Sequence, residues 1–225
     1  MYTEKTAQGI RHARVQVVRR VGPGAVVVRF DRVGLNFEPG QNIMVGTPDQ
    51  IDMREYSGYS TPEEDFLEIL VKAVDGGAVS PALATLRPGD SVTVNGPSGE
   101  FLIDGAGRRT RKFTFIATGT GIAPFHCFAH FYPGLDYELL HGVRTRAERY
   151  EHETYPADRY VACISGESPA PGEYAGRVTS YLKEHPVDPA RLYYLCGNAD
   201  MIYEVMALLQ KQGVARDHIF GEIYF

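Results

Sequence analysis

The sequence predicts two domains, an N-terminal antiparallel β-barrel or sandwich and a C-terminal α/β domain with a parallel sheet. The first half contains short β-rich segments separated by glycine and proline turns. The second half alternates strand-like runs with helical stretches, which is typical of a parallel sheet with helices on both faces. A polar, basic segment over residues 104–112 separates the halves, and we place the boundary there, giving domains 1–106 and 107–225.

The predicted strands are runs rich in β-branched and aromatic residues. In the first domain they cover residues 13–21, 25–30, 42–46, 54–60, 66–74 and 91–95, and their close spacing indicates a barrel or a sandwich. In the second domain they cover residues 113–117, 137–141, 160–164, 192–196 and 218–224.

Composition and charge exclude several classes of protein. A formal net charge of -5 argues against general nucleic-acid binding, which needs an excess of Lys and Arg. No apolar run approaches the ~20 residues of a membrane span, and the N-terminus lacks an apolar signal core, so we expect a cytoplasmic protein. Cys127, Cys163 and Cys196 are far apart in sequence, so we expect no disulfide, structural zinc or iron-sulfur cluster.

A glycine-containing turn follows the first strand-like run of the second domain. The run breaks at Gly119 and Gly121 and resumes with Pro124 near a predicted helix start. Glycines let the backbone approach a pyrophosphate, and the free amides of a helix start stabilise its charge. Ala123-Pro124 replaces the third glycine of the usual dinucleotide fingerprint, so an ordinary glycine turn remains the alternative. Residues 196–198 should lie at the same edge of the sheet.

Arg54-Glu55-Tyr56-Ser57, at the start of the predicted strand over residues 54–60 of the first domain, resembles the flavin-binding segment of the ferredoxin-NADP reductase family. The resemblance covers nearly the whole chain and implies a β-barrel that binds flavin. It places Arg54 on the flavin phosphates, Tyr56 against the isoalloxazine and Ser57 at its N5 edge. These residue types suit those roles, although a core tyrosine and a surface arginine are the alternative.

Further segments follow in the family's order. Gly77-Ala78-Val79-Ser80 resembles its second phosphate loop, in which Ser80 could cap a helix that starts at Pro81. Residues 96–101 resemble the segment that closes the barrel. The implied FAD-binding residues are Arg54, Glu55, Tyr56, Ser57, Gly77, Ala78, Val79, Ser80, Tyr224 and Phe225.

The resemblance also implies a nicotinamide nucleotide on the second domain. Arg144 and Arg177 match positions that bind the 2′-phosphate of NADPH, whereas Gly166 stands where the family has a third arginine. We therefore expect NADPH with reduced discrimination, and NADH remains possible. Cys196 would lie near the reacting ring, with a small buried hydrophobe as the alternative. The implied nucleotide-binding residues are Thr118, Gly119, Thr120, Gly121, Pro124, Arg144, Arg177, Cys196, Gly197, Asn198 and Met201.

The C-terminal residues Glu222, Tyr224 and Phe225 resemble the family's aromatic tail. We assign flavin stacking to Tyr224, adenine packing to Phe225 and a proton network with Ser57 to Glu222. An ordinary edge strand is the alternative. The predicted catalytic residues are Ser57, Cys196, Glu222 and Tyr224.

The resemblance implies an FAD-dependent ferredoxin-NAD(P)+ oxidoreductase that exchanges single electrons with a separate ferredoxin or flavodoxin. The basic residues Arg108, Arg109, Arg111 and Lys112 could steer an acidic partner, or they could be a solvated linker. Two alternatives remain open: a reductase component that feeds an oxygenase, and a flavin-binding regulatory subunit without activity of its own.

Overall fold

The computed structural model describes residues 9–105 and 107–224. They form two compact units, one of residues 9–20 and Gly24–Leu102, the other of Val21–Pro23 and the described residues from Ile103 onward. The first unit is built on an antiparallel six-stranded sheet and the second on a parallel six-stranded sheet with helices, so the predicted fold class is confirmed. The domain boundary at residues 106 and 107 stays a prediction.

The first sheet has the strand order β4-β3-β6-β1-β2-β5. Its elements are β1 (Arg11–Gly22), β2 (Ala25–Asp31), β3 (Asn42–Gly46), β4 (Arg54–Ser57), β5 (Phe66–Lys72), α1 (Val79–Ala84) and β6 (Ser91–Ser98). Valine-rich segments such as β2 are buried along nearly their whole length, because β-branched side chains pack well on a pleated surface.

The two edge strands of this sheet are connected, which closes it into a barrel. Just beyond β4, the Tyr59 amide donates to the Glu68 carbonyl of β5 at 2.8 Å. The Glu68 amide in turn donates to the Ser60 hydroxyl at 2.9 Å. The predicted strand over residues 54–60 is only four residues long in the structure. Its last residues turn towards β5 and bond to Glu68 instead of continuing the pairing with β3.

The second sheet has the order β10-β9-β8-β7-β11-β12. Its elements are β7 (Phe113–Thr118), α2 (Ala123–Phe131), β8 (Tyr137–Val143), β9 (Tyr160–Ile164), β10 (Tyr174–Ala175), α3 (Val178–Glu184), β11 (Leu192–Asn198), α4 (Ala199–Lys211) and β12 (Ile219–Tyr224). From β7, the chain adds β8, β9 and β10 on one side of that strand. It then crosses back and adds β11 and β12 on the other side of β7. This reversal creates a crevice at the carboxyl ends of β7 and β11.

The sequence did not reveal β10, because a two-residue strand carries no periodic pattern. Among the helices of residues 9–105 and 107–224, none has the length and apolar character needed to cross a bilayer.

Candidate functional site

The crevice between β7 and β11 is lined by two glycine loops in direct contact. Gly119–Ile122 forms one 3-10 turn after β7, and α2 then begins at Ala123 with Pro124 in its first turn, as predicted. Opposite it, the Asn198 amide donates to the Thr118 hydroxyl at 3.0 Å. The structure thus brings together the two segments that the sequence placed at one edge of the sheet.

Two of these glycines allow backbone to pack on backbone. A Cβ on Gly121 would lie 2.3 Å from the Cys196 carbonyl oxygen. A Cβ on Gly197, whose φ is +129°, would lie 2.3 Å from the Thr118 hydroxyl. Neither site can accept a side chain without movement of the main chain, so the loops are fixed against each other.

Gly119 serves a different purpose. Its φ is +53°, and a Cβ built there would meet no atom within 4 Å. The glycine therefore provides the left-handed conformation and leaves open space beside the start of α2. A pyrophosphate fits this arrangement, because the first turn has amides without intrahelical partners and the helix dipole favours an anion.

His141 of β8 holds the same turn from the other side, and sequence reasoning gave it no role. Its side chain is fully buried, with Nε2 2.9 Å from the Gly119 carbonyl and Nδ1 2.9 Å from the Tyr160 hydroxyl. Burial lowers the pKa of His141 to about 4, so the imidazole is neutral at pH 7. A histidine directly after two leucines of a predicted parallel strand was the available signal, because a buried imidazole needs partners.

Cys196 lies next to two of the predicted catalytic residues. Its Sγ is 3.9 Å from a Glu222 carboxylate oxygen, and β11 and β12 pair Cys196 with Glu222 and Asn198 with Tyr224. Burial, followed by the Glu222 charge, raises the pKa of the thiol well above its usual value, while a hydrogen bond with Tyr224 opposes the shift. Cys196 is therefore a neutral thiol and not a nucleophilic thiolate.

Asn198 begins α4 as its N-cap. Its side-chain oxygen accepts from the Met201 amide at 3.2 Å, and the Met201 side chain packs into the core of the second unit. The exposed end of β11 and the first turn of α4 are thus held together. Asn198 and Met201, both predicted to bind the nucleotide, have this structural role in the described residues.

Arg144 and Arg177 are both exposed. Arg144 directly follows β8, and Arg177 is the N-cap of α3. Gly166 lies between them in sequence, after β9, and its amide donates to the Arg144 carbonyl at 2.8 Å. A Cβ on Gly166 would lie 2.8 Å from the same oxygen, so an arginine cannot be placed there without displacing the backbone. The departure from the family pattern therefore has a local steric cause.

Arg146, two residues after Arg144, is engaged by carboxylates. Its guanidinium is 3.0 Å from Glu173 and 3.6 Å from Glu167, and Arg149 is 2.9 Å from Glu173. Burial by itself would raise the pKa of Glu173. Hydrogen bonds from Arg146 and the Ala170 amide, together with the Arg149 charge, outweigh this effect and lower the pKa below its ordinary value. These pairs fix the loop after β9, whereas Arg144 and Arg177 are exposed.

In the first unit, β4 presents the predicted flavin residues at the edge of the sheet. Arg54 and Glu55 are exposed, Tyr56 is half-buried and Ser57 is buried. The register of β4 on β3 places Tyr56 opposite Ile43 and Ser57 opposite Asn42. Burial raises the pKa of Tyr56 to about 12, and the Arg54 charge lowers it less, so the phenol stays protonated. An exposed guanidinium, an aromatic ring and a buried hydroxyl are a donor set that suits FAD.

The predicted capping role of Ser80 is wrong. Helix α1 begins at Val79 with Ala78 as its N-cap, and no side chain caps it. The Ser80 hydroxyl instead accepts from the Val74 amide at 3.2 Å and closes the turn that contains Gly77. Val79 is buried and is the first residue of the helix, two residues before the start that the Ser80-Pro81 pair predicted. The assignment of Gly77, Ala78, Val79 and Ser80 to FAD stays a prediction.

Most of the basic run is engaged within the second unit. The Arg108 guanidinium lies 4.5 Å from the centre of the Tyr132 ring, and Lys112 is 3.9 Å from Asp136. Arg111 donates to the Ala190 carbonyl at 3.1 Å and lies 2.9 Å from Nε2 of His218. These contacts favour a structural role for three of the four cations.

Ser57 belongs to the first unit and Glu222 to the second, so their predicted proton network stays a prediction. The assignment of Tyr224 to the flavin likewise stays a prediction, and that of Phe225 lies outside the described residues.

Comparisons with known proteins identify the first unit. A family model described as an oxidoreductase FAD-binding domain matches residues 24–103. The toluate 1,2-dioxygenase electron transfer component of Pseudomonas putida is 26% identical over 97% of this chain and 68% of its own length. Further curated relatives are longer still, and the chain spans only 49% to 59% of three of them.

Solved structures have the same two-domain architecture. A cytochrome P450 reductase of Amycolatopsis has a TM-score of 0.85 and 25% identity, covering 97% of this chain and 71% of that one. A ferredoxin NADP+ reductase of Neisseria gonorrhoeae, with bound FAD and NADP, has a TM-score of 0.85 and 21% identity, covering 96% and 99%. This chain therefore contains an FAD-binding oxidoreductase domain and has the two-domain fold of ferredoxin-NADP reductases and oxygenase reductase components.

Proposed function

We propose that this chain is an NAD(P)H-dependent flavin reductase that passes electrons to a separate one-electron carrier. The observation that carries the proposal is the crevice built by Gly119, Gly121 and Gly197 in one unit of a chain whose other unit is an FAD-binding domain. Bound FAD would supply the chemistry that links two-electron donors to one-electron acceptors.

The residues of the first unit would bind and orient the flavin. Arg54 would hold its phosphates through a charged fork, Tyr56 would stack on the ring system, and the buried Ser57 hydroxyl would donate towards N5. The raised pKa of Tyr56, about 12, keeps the ring uncharged, so it adds no negative charge beside the flavin.

The residues of the second unit would bind the nicotinamide nucleotide. The Gly119–Ile122 turn would hold its pyrophosphate, and the neutral Cys196 thiol would pack beside its ring. No side chain needs to remove a proton strongly, because the contribution of the protein is proximity and alignment.

For the nucleotide, we propose a preference for NADPH with low discrimination against NADH. The support is two exposed arginines, Arg144 and Arg177, in a region where the third family arginine is sterically excluded at Gly166. Replacing both arginines by alanine should lower the ratio of NADPH to NADH efficiency. An unchanged ratio in steady-state kinetics would contradict this assignment.

For the acceptor, we propose a ferredoxin or a flavodoxin, which makes the chain a ferredoxin-NAD(P)+ oxidoreductase. An oxygenase component is the second candidate, because the Pseudomonas relative serves a dioxygenase and the Amycolatopsis structure a cytochrome P450. A reducing compartment such as the cytoplasm suits either, since Cys127, Cys163 and Cys196 are buried thiols.

The first test is an anaerobic visible spectrum of the purified protein. We expect flavin absorption near the blue region that bleaches when NADPH or NADH is added, and the faster nucleotide would establish the preference. Flavin absorption without bleaching would favour a binding subunit. Failure to bind FAD on reconstitution would contradict the role of the Arg54–Ser57 segment.

A further inference from the structure

His141, Tyr160 and Gly119 form a chain of hydrogen bonds, centred on a buried imidazole, beneath the proposed nucleotide turn. His141 lies near the end of β8 and has no solvent exposure, and Tyr160 is the first residue of β9. The imidazole bridges the Tyr160 hydroxyl and the Gly119 carbonyl, with 2.9 Å to each.

The partners determine which nitrogen carries the proton. A carbonyl oxygen can only accept, so Nε2 of the neutral imidazole must donate to Gly119. Nδ1 then carries no proton and can only accept, which requires the Tyr160 hydroxyl to donate. The Gly119 carbonyl thus selects the tautomer, and the Tyr160 hydroxyl stabilises it by donating to Nδ1.

The bond to Gly119 fixes more than one atom. The Gly119 carbonyl and the Thr120 amide belong to one trans peptide group, in which the C=O and N–H bonds point in opposite directions. Since the carbonyl points to a fully buried side chain, the Thr120 N–H points away from it. As the second residue of a 3-10 turn, Thr120 has an amide without a partner inside that turn.

We propose that His141, whose unprotonated Nδ1 accepts from Tyr160, is a positioning residue that aims the Thr120 amide at the diphosphate of the nicotinamide nucleotide. The inference rests on the proposed function, because it requires the glycine turn to bind that nucleotide. His141 makes no contact with the ligand itself and acts through one peptide plane.

Tyr155 offers a matched control for Tyr160. The two rings are stacked at 5.6 Å with an angle of 9° between their planes. The buried Tyr155 hydroxyl has no hydrogen-bond partner among residues 9–105 and 107–224, whereas that of Tyr160 reaches His141. Tyr155→Phe and Tyr160→Phe therefore delete the same atom from neighbouring rings, and only one deletion affects the imidazole.

The experiment measures nucleotide affinity of the FAD-loaded protein by calorimetry. The probes are NADP+ and NAD+, together with 2′,5′-ADP and AMP, which lack the diphosphate. We expect Tyr160→Phe to weaken binding of the dinucleotides about tenfold, equal to about 1.4 kcal/mol, and binding of the fragments less than twofold. Tyr155→Phe should change neither, and His141→Gln, which can still donate and accept, should stay within about threefold of the unmodified protein.

Two results would overturn the inference. One is equal dinucleotide affinity for Tyr160→Phe and Tyr155→Phe, and the other is equal weakening of dinucleotides and fragments in Tyr160→Phe. If the unmodified protein binds no nucleotide at all, the proposed function itself fails, which distinguishes that failure from the other two.

Discussion

The two proposed binding regions of this chain are built in different ways. In the second unit, the turn proposed to bind the nucleotide is fixed by main-chain contacts with β11 and by His141 of β8. In the first unit, the residues proposed to bind flavin are side chains on β4, a four-residue strand whose first two residues are exposed. A site made of backbone depends on the absence of side chains, whereas a site made of side chains depends on their identity.

This difference predicts opposite sensitivities. Adding one methyl group should damage the nucleotide site more than removing a large side chain from its rim. At the flavin site, the loss of one charged side chain should reduce cofactor affinity while the fold persists.

The largest effect should follow from Gly121→Ala, whose Cβ would overlap the Cys196 carbonyl. We expect a loss of about 3 kcal/mol in the free energy of unfolding and loss of nucleotide binding. Gly119→Ala is the control: its Cβ meets open space, so only the positive φ is penalised, by about 1 kcal/mol. Urea unfolding checks both, and equal losses would mean that packing against β11 is unimportant.

The buried His141 should make the second unit sensitive to acid. Its pKa is about 4 when folded against the ordinary 6.5, so the unfolded chain binds the proton more tightly. The stabilisation is complete above pH 6.5 and falls by about 3 kcal/mol as the pH approaches 4. Neighbouring Glu148 and His152 also act on this group, and burial has the largest effect.

His141→Gln isolates this contribution, because it keeps a neutral donor and acceptor that cannot titrate. The difference in unfolding free energy between pH 7.5 and pH 5 should be about 2 kcal/mol smaller in the variant than in the unmodified protein. Identical pH slopes would show that the imidazole is not buried in solution.

At the flavin site, Arg54→Ala should lower FAD affinity about thirtyfold, or about 2 kcal/mol, through loss of a charge-assisted bond. The melting temperature of the protein without FAD should stay the same, because the Arg54 side chain is exposed. Arg54→Lys should recover part of the affinity. Titration of FAD fluorescence measures the two affinities and thermal unfolding measures the melting temperature, and an unchanged affinity of Arg54→Ala would remove Arg54 from the site.

The smallest effect concerns the basic run. Arg108, Arg111 and Lys112 are engaged in local contacts, while Arg109 is exposed. Arg109→Glu should therefore slow electron delivery to an acidic carrier only about twofold at low ionic strength, with no difference at high salt. A larger decrease in the stopped-flow rate would support this basic run as a docking site for the acidic carrier.

The order and type of the strands could be predicted from sequence, because runs of β-branched and aromatic residues are local signals. The strand over residues 42–46 and that over residues 160–164 have the predicted ends. The start of α1 could not be predicted, since burial of Val79 outweighs the capping signal at Ser80.

The candidate site divides along the same line. Gly119, Gly121 and Pro124 could be found from their spacing, because they follow one strand directly. The fit of Gly121 to Cys196 and the bond from His141 to Gly119 join segments distant in sequence, so no local pattern reports them.

The close approach of Gly166 to the Arg144 carbonyl limits how this protein could change its coenzyme. A single exchange of Gly166 for arginine, the apparent route to tighter NADPH binding, would first have to separate the ends of β8 and β9. Replacing Glu167 by a neutral residue would require no such movement of the main chain. Its carboxylate faces Arg146, so the substitution would make the region more positive for the 2′-phosphate of NADPH. One backbone oxygen, that of Arg144, thus limits which side chains position 166 can carry.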